Sequence, residues 1–78
     1  MAKKYRIAAN GQFLGHYYGT SPEKAVEKAV RDNFVYHQKI FGCPDCEFVA
    51  KRGLGDSTIF NWSDIPAVAA EFNIPTEA

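Results

Sequence analysis

The chain has 78 residues, with nine Lys plus Arg against nine Asp plus Glu, 46% hydrophobic and 23% charged. That is ordinary globular composition, enough for one domain over residues 1–78. It excludes a disordered tail, a strongly basic nucleic-acid binder and a highly acidic DNA mimic. No apolar run approaches the roughly 18–20 residues that span a bilayer, and Met1-Ala2-Lys3-Lys4 leads into Tyr5-Arg6-Ile7 without an apolar signal segment. The expectation is a cytoplasmic protein with no membrane partner.

The zero net charge hides an asymmetry. Residues 1–39 carry seven basic and three acidic side chains; residues 40–78 carry two basic and six acidic. A compact fold either mixes these charges or keeps them as two poles, and poles would permit self-association.

The first predicted element is a hairpin. Lys3 to Ala9 and Gln12 to Tyr18 flank Asn10-Gly11, a pair suited to the two positive φ angles of a type I′ turn. With a regular ladder, Ala9 faces Gln12, Ile7 faces Leu14 and Tyr5 faces His16. One face then carries Tyr5, Ile7, Ala9, Leu14, His16 and Tyr18. The other carries Lys4, Arg6, Ala8, Phe13, Gly15 and Tyr17.

A helix follows. Ser21 suits the N-cap, Pro22 the first position and Glu23 the positive end of the dipole. Ala25, Val26, Ala29, Val30 and Phe34 recur at helical spacing. Glu27 with Arg31, and Lys28 with Asp32, are i,i+4 pairs. The helix is expected to run to about Ile40, with Gly42 as its stop, although Asn33, Val35, Tyr36 and His37 are mediocre formers.

Cys43-Pro44-Asp45-Cys46 reads as a turn, and Glu47 to Arg52 as a third strand. Gly53-Leu54-Gly55-Asp56 is a second turn. Thr58, Ile59, Phe60 and Trp62 make a fourth strand. Ser63 is the expected N-cap of a short final helix that holds Ala67, Val68, Ala70 and Phe72 and ends at Asn73 before Pro75. The fold class is α+β, ordered β-β-α-β-β-α. A mostly antiparallel sheet carries the long helix on one face, and the short C-terminal helix covers an edge or part of the other face.

Two constellations bear chemistry. Cys43 and Cys46 sit at a spacing that can grip a metal, close a small disulfide or act as a redox pair. A thioredoxin-type site needs its first thiol at a helix start, whereas this pair follows a helix. Zinc at Cys43 and Cys46 would need two more ligands, and His16 and His37 are the remaining soft candidates. Two reduced thiols in a turn are the plainer reading in a reducing compartment. The second constellation is the hairpin face with Lys4, Arg6, Phe13 and Tyr17. Aromatics beside cations suit a protein interface or, alternatively, stacked bases with paired phosphates. Coverage of that face by the second helix would remove both readings.

Residues 4–34 resemble the last hairpin and helix of a double-stranded-RNA-binding domain. The likeness lies in a strand, a glycine turn, Gly15-x-x-x-Gly19, and Ser21 opening a helix with Ala25 and Ala29. The resemblance implies RNA binding by lysines just after the helix-opening serine. Here Pro22 and Glu23 stand at those positions, the family's first helix has no counterpart, and two further strands follow. The shared pattern covers less than half of the chain and is not membership of the family.

No nucleophile elbow, P-loop or dinucleotide-binding glycine motif is present, so a non-enzymatic role is expected. The reading is a small interaction module that binds another protein, as an accessory subunit or small inhibitor. Its contact residues are Lys4, Arg6, Phe13 and Tyr17, with Tyr36 outlying. The alternatives are RNA or single-strand binding through the same face, and a metal-stabilised domain through the cysteine turn.

Overall fold

The computed structural model describes residues 2–36 and 46–74. Strands β1 (Lys3–Ala9) and β2 (Gln12–Gly19) form the predicted hairpin, followed by helix α1 (Pro22–Asn33). Strands β3 (Glu47–Arg52) and β4 (Asp56–Asn61) follow, then a 3₁₀ turn (Trp62–Asp64) and helix α2 (Pro66–Glu71). The sheet is antiparallel throughout, in the order β2-β1-β3-β4. The expected α+β architecture is therefore the observed one.

Asn10 and Gly11 both take positive φ, at 48° and 83°, as a type I′ turn requires. Asn10 also ties the hairpin to β3. Its backbone N–H donates to the Glu47 carbonyl at 2.8 Å, and its side-chain oxygen accepts from the Glu47 N–H at 2.9 Å.

The ladder departs from the regular one beyond Ala8. Ala8 pairs with Phe13, but Ile7 pairs with Gly15, so Leu14 is an extra residue in a β-bulge. Gly15 has a φ of +134°, where a side chain would be strained. The bulge inverts the expected faces for the rest of β2. Tyr17 now stands opposite Tyr5, on the helix side, while His16 stands opposite Arg6 and Tyr18 opposite Lys4.

α1 begins as expected. Ser21 Oγ accepts from the Lys24 N–H at 3.3 Å, and Pro22 occupies the first turn. Gly19 lets the helix start close over the sheet: a Cβ there would lie 2.7 Å from the Ala25 nitrogen. The buried face is Ala25, Val26, Ala29 and Val30. The helix ends at Asn33, well short of Ile40, and residues 34–36 form a turn. Asn33 donates from its amide both to the Ala29 carbonyl and to the Tyr17 hydroxyl, each at 2.8 Å. Poor formers at 33, 35 and 36 thus meet a tertiary partner that favours termination. The expected continuation over 37–40 and the stop at Gly42 lie outside the described residues.

The expected i,i+4 pairs give way to other partners. Arg31 bonds Glu71 of α2 at 3.2 Å. Lys28 donates to the Tyr18 carbonyl at 2.8 Å, and Asp32 accepts from the Tyr17 hydroxyl at 3.0 Å. Lys24 lies 3.8 Å from Glu27 instead.

The core lies between the sheet and the two helices. It comprises Tyr5, Ile7 and Ala9 of β1, Phe48 and Ala50 of β3 with Cys46 before it, the α1 face, and Trp62, Ile65, Val68 and Ala69. Trp62 is not in β4, as expected, but in the 3₁₀ turn, where its ring meets Phe48 edge-on at 5.0 Å. Ser63 is not the cap of α2 either: Ile65 holds that position, and Pro66 opens the helix. α2 ends at Glu71 with Phe72 as its cap, two residues before the expected Asn73, which follows with a φ of 57°. Pro75 lies outside the described residues. Phe34 and Phe72 stack at 4.1 Å, joining the ends of the helices in one layer. α2 thus sits beside α1 and leaves the second face of the sheet uncovered among the described residues. No described helix is long and apolar enough to cross a membrane.

Candidate functional site: the open face of the sheet

Strand register places two rows of side chains across the uncovered face. Phe13, Ala8, Val49 and Ile59 are successive neighbours across β2, β1, β3 and β4. Phe13 is 44% exposed and Ile59 60%, so this is an apolar row on the outside of the molecule. Two residues along the strands, His16, Arg6, Lys51 and Ser57 form the next row. Lys4 and Tyr18 pair beyond it.

The rows touch. The Arg6 guanidinium lies over the Phe13 ring, 4.7 Å from its centroid, a cation–π distance. His16 meets the same ring edge-on at 5.5 Å. Lys4, Arg6, His16 and Lys51, with Gly53 and Leu54 of the β3–β4 turn, line a shallow hollow of about 340 Å³. A larger hollow of about 480 Å³ lies at the start of α1, between Tyr5, Pro22 and the Arg52–Thr58 end of β3 and β4. Its charged lining is Arg52 and Asp56, which are cross-strand neighbours of opposite sign. It offers no surplus charge and no cluster.

The expected contact set is therefore only partly brought together. Lys4, Arg6 and Phe13 share the open face. Tyr17 does not: the bulge turns it under α1, where its hydroxyl donates to Asp32 and accepts from Asn33. Burial first, and the adjoining Asp32 carboxylate, hold its phenol above the usual value of 10.0, against a lowering contribution from Asn33. Tyr36 is 80% exposed in the turn after α1, in the helix layer. Lys51, Val49 and Ile59 join the face from β3 and β4, and His16 and Tyr18, expected on the other face of the hairpin, are brought to it by the bulge. The glycine inside β2 was the available signal for the bulge. The β1–β3 pairing that brings in Lys51 had no local signal.

The charge asymmetry does not survive as two poles. Lys51 comes from the acidic half yet stands beside Arg6, while Arg31 of the basic half is paired with Glu71 of the other.

Cys46 is fully buried in the core, and His16 is exposed on the opposite face of the sheet. These two cannot share a metal in this fold. Cys43 and His37 lie outside the described residues. Among the described residues, no three His, Cys, Asp or Glu side chains are grouped to hold a metal. No family model matches this chain, and no curated protein or solved structure matches it either.

Proposed function

We propose that the protein is a non-catalytic, cytosolic binding module that holds another protein on the open face of its sheet. The observation that carries this reading is the apolar row Phe13–Ala8–Val49–Ile59 running beside the row His16–Arg6–Lys51, which holds the cations Arg6 and Lys51. An exposed apolar stripe rimmed by charged groups is the usual make-up of an interaction surface. Phe13 and Arg6 belong to residue types enriched at interface centres. An accessory subunit and a small inhibitor would use such a face alike.

The test is affinity capture from the native host with three baits. These are the wild type, the open-face variant Arg6→Glu/Phe13→Ser/Ile59→Ser, and the helix-layer variant Tyr36→Ser. A protein held by the wild type and by Tyr36→Ser, lost from the open-face variant, and re-bound from purified components supports the reading. Equal recovery by all three baits refutes it. Capture abolished by nuclease assigns the face to nucleic acid instead.

A further inference from the structure

On the open face Arg6 stands directly across from Lys51. Like charges in that relation destabilise a sheet. His16 flanks Arg6 on its other side, Lys4 lies two residues along β1, and all four line the same hollow. Among its described lining residues there is no carboxylate. Cations of the helix layer are differently placed: Lys24 lies near Glu27, Arg31 is bound to Glu71, and Lys28 donates to a carbonyl. The convergent positive charge is on the open face.

We propose that this hollow receives the carboxylates of an acidic segment of a partner protein, whose apolar side chain rests on the Phe13–Ala8–Val49–Ile59 row. This rests on the reading of the open face as a protein-binding surface. Charge complementarity selects the sign of the partner, and strand geometry selects its pattern. Ala8, Arg6 and Lys4 follow one another on one face of β1 at a step of about 6.8 Å, two residues of strand. An extended partner segment has the same step. An apolar residue followed by carboxylates at its second and fourth positions therefore meets the apolar row, the Arg6–Lys51 level and the Lys4 level in turn. Nucleic acid fits less well. Successive bases need a run of open aromatic faces, whereas Arg6 covers one face of the Phe13 ring and His16 packs edge-on against it, Ala8, Val49 and Ile59 offer none, and Tyr18 stands apart beside Lys4.

The test is a titration of the full ¹⁵N-labelled protein at fixed ionic strength with three probes. One is a peptide carrying isoleucine followed at the second and fourth positions by glutamate. The others are the same peptide with glutamines, and a single-stranded oligouridine. The glutamate peptide is expected to shift the amides of Lys4, Arg6, His16, Lys51 and Gly53. Its affinity should exceed that of the glutamine peptide about tenfold, as two exposed ion pairs warrant. Lys4→Gln/Lys51→Gln should abolish that difference. Equal binding of both peptides overturns the anion site but leaves the apolar row as an interface. Tighter binding of the oligouridine, or no shift with any probe, overturns the anion site as well. Capture by the open-face variant tests the broader reading independently.

Discussion

The Arg6–Lys51 pair should make the open face less stable than it need be. The perturbation is Lys51→Glu, which turns a repulsive cross-strand neighbour into an attractive one. The interaction of two unit charges about 6 Å apart in water-like surroundings is about 0.7 kcal/mol, an upper bound here because the Arg6 guanidinium leans over Phe13 on the other side of β1. Reversing its sign and discounting for exposure and side-chain freedom leaves a gain of about 0.5–1 kcal/mol. In a domain of this size that is a rise in Tm of about 2–8 °C. Urea unfolding followed by the fluorescence of Trp62, the single tryptophan, measures it. The gain should be largest at low salt and collapse near 1 M salt, where the screening length is about 3 Å. It should also shrink in an Arg6→Gln background, which completes a double-mutant cycle. A Lys51→Glu variant that is no more stable than wild type at low salt, or whose gain persists at high salt, would refute the reasoning. The same variant should lose the acidic peptide, so stability and binding are expected to move in opposite directions.

Other substitutions test the rest of the fold. Gly19→Ala places a Cβ 2.7 Å from the Ala25 nitrogen; the backbone there has little room to yield, so denaturation should show a loss of about 1–3 kcal/mol. Gly55→Ala meets nothing within 4 Å and should stay within about 0.5 kcal/mol of wild type. Tyr17→Phe removes the hydroxyl between Asp32 and Asn33 and should cost about 0.5–1.5 kcal/mol at neutral pH, without altering binding at the open face. Because the folded phenol titrates above 10.0, its contribution is whole below pH 10 and is lost as pH rises through the raised folded value. An alkaline melting series should therefore fall more steeply for wild type than for Tyr17→Phe. Trp62→Ala should cost about 3–5 kcal/mol, which is on the order of the whole stability of so small a core. Circular dichroism should then show an unfolded chain, while Trp62→Phe stays folded.

Local signals were legible where a few adjacent residues decide the backbone. Asn10-Gly11 specified the hairpin turn because few other residues take positive φ there. Ser21-Pro22 specified the start of α1 because the serine meets an orphan N–H and the proline needs none. The strand Glu47–Arg52 and a helix stop near Asn73 were read from similar cues, and Asn73 takes a positive φ just past the end of α2. These suffice for the element order and the α+β class.

The candidate site was half legible. Lys4, Arg6 and Phe13 alternate correctly from the turn outward, because the first pairs of the ladder are regular. Beyond Leu14 the alternation inverts, since the bulge lets both Leu14 and Tyr17 approach the core. The i,i+4 rule likewise failed on α1, where Arg31 and Asp32 found partners outside the helix. Neighbouring residues were enough for the Asn10-Gly11 turn, the Ser21 cap and the order of strands and helices, whereas the cap they suggested at Ser63 gave way to Ile65. The charge pattern on the open face depends on contacts between distant parts of the chain. The pairing of β1 with β3 sets Lys51 against Arg6 across some 45 residues of chain, and no local preference encodes a contact of that range. A chain that sums to zero thereby carries a cationic face.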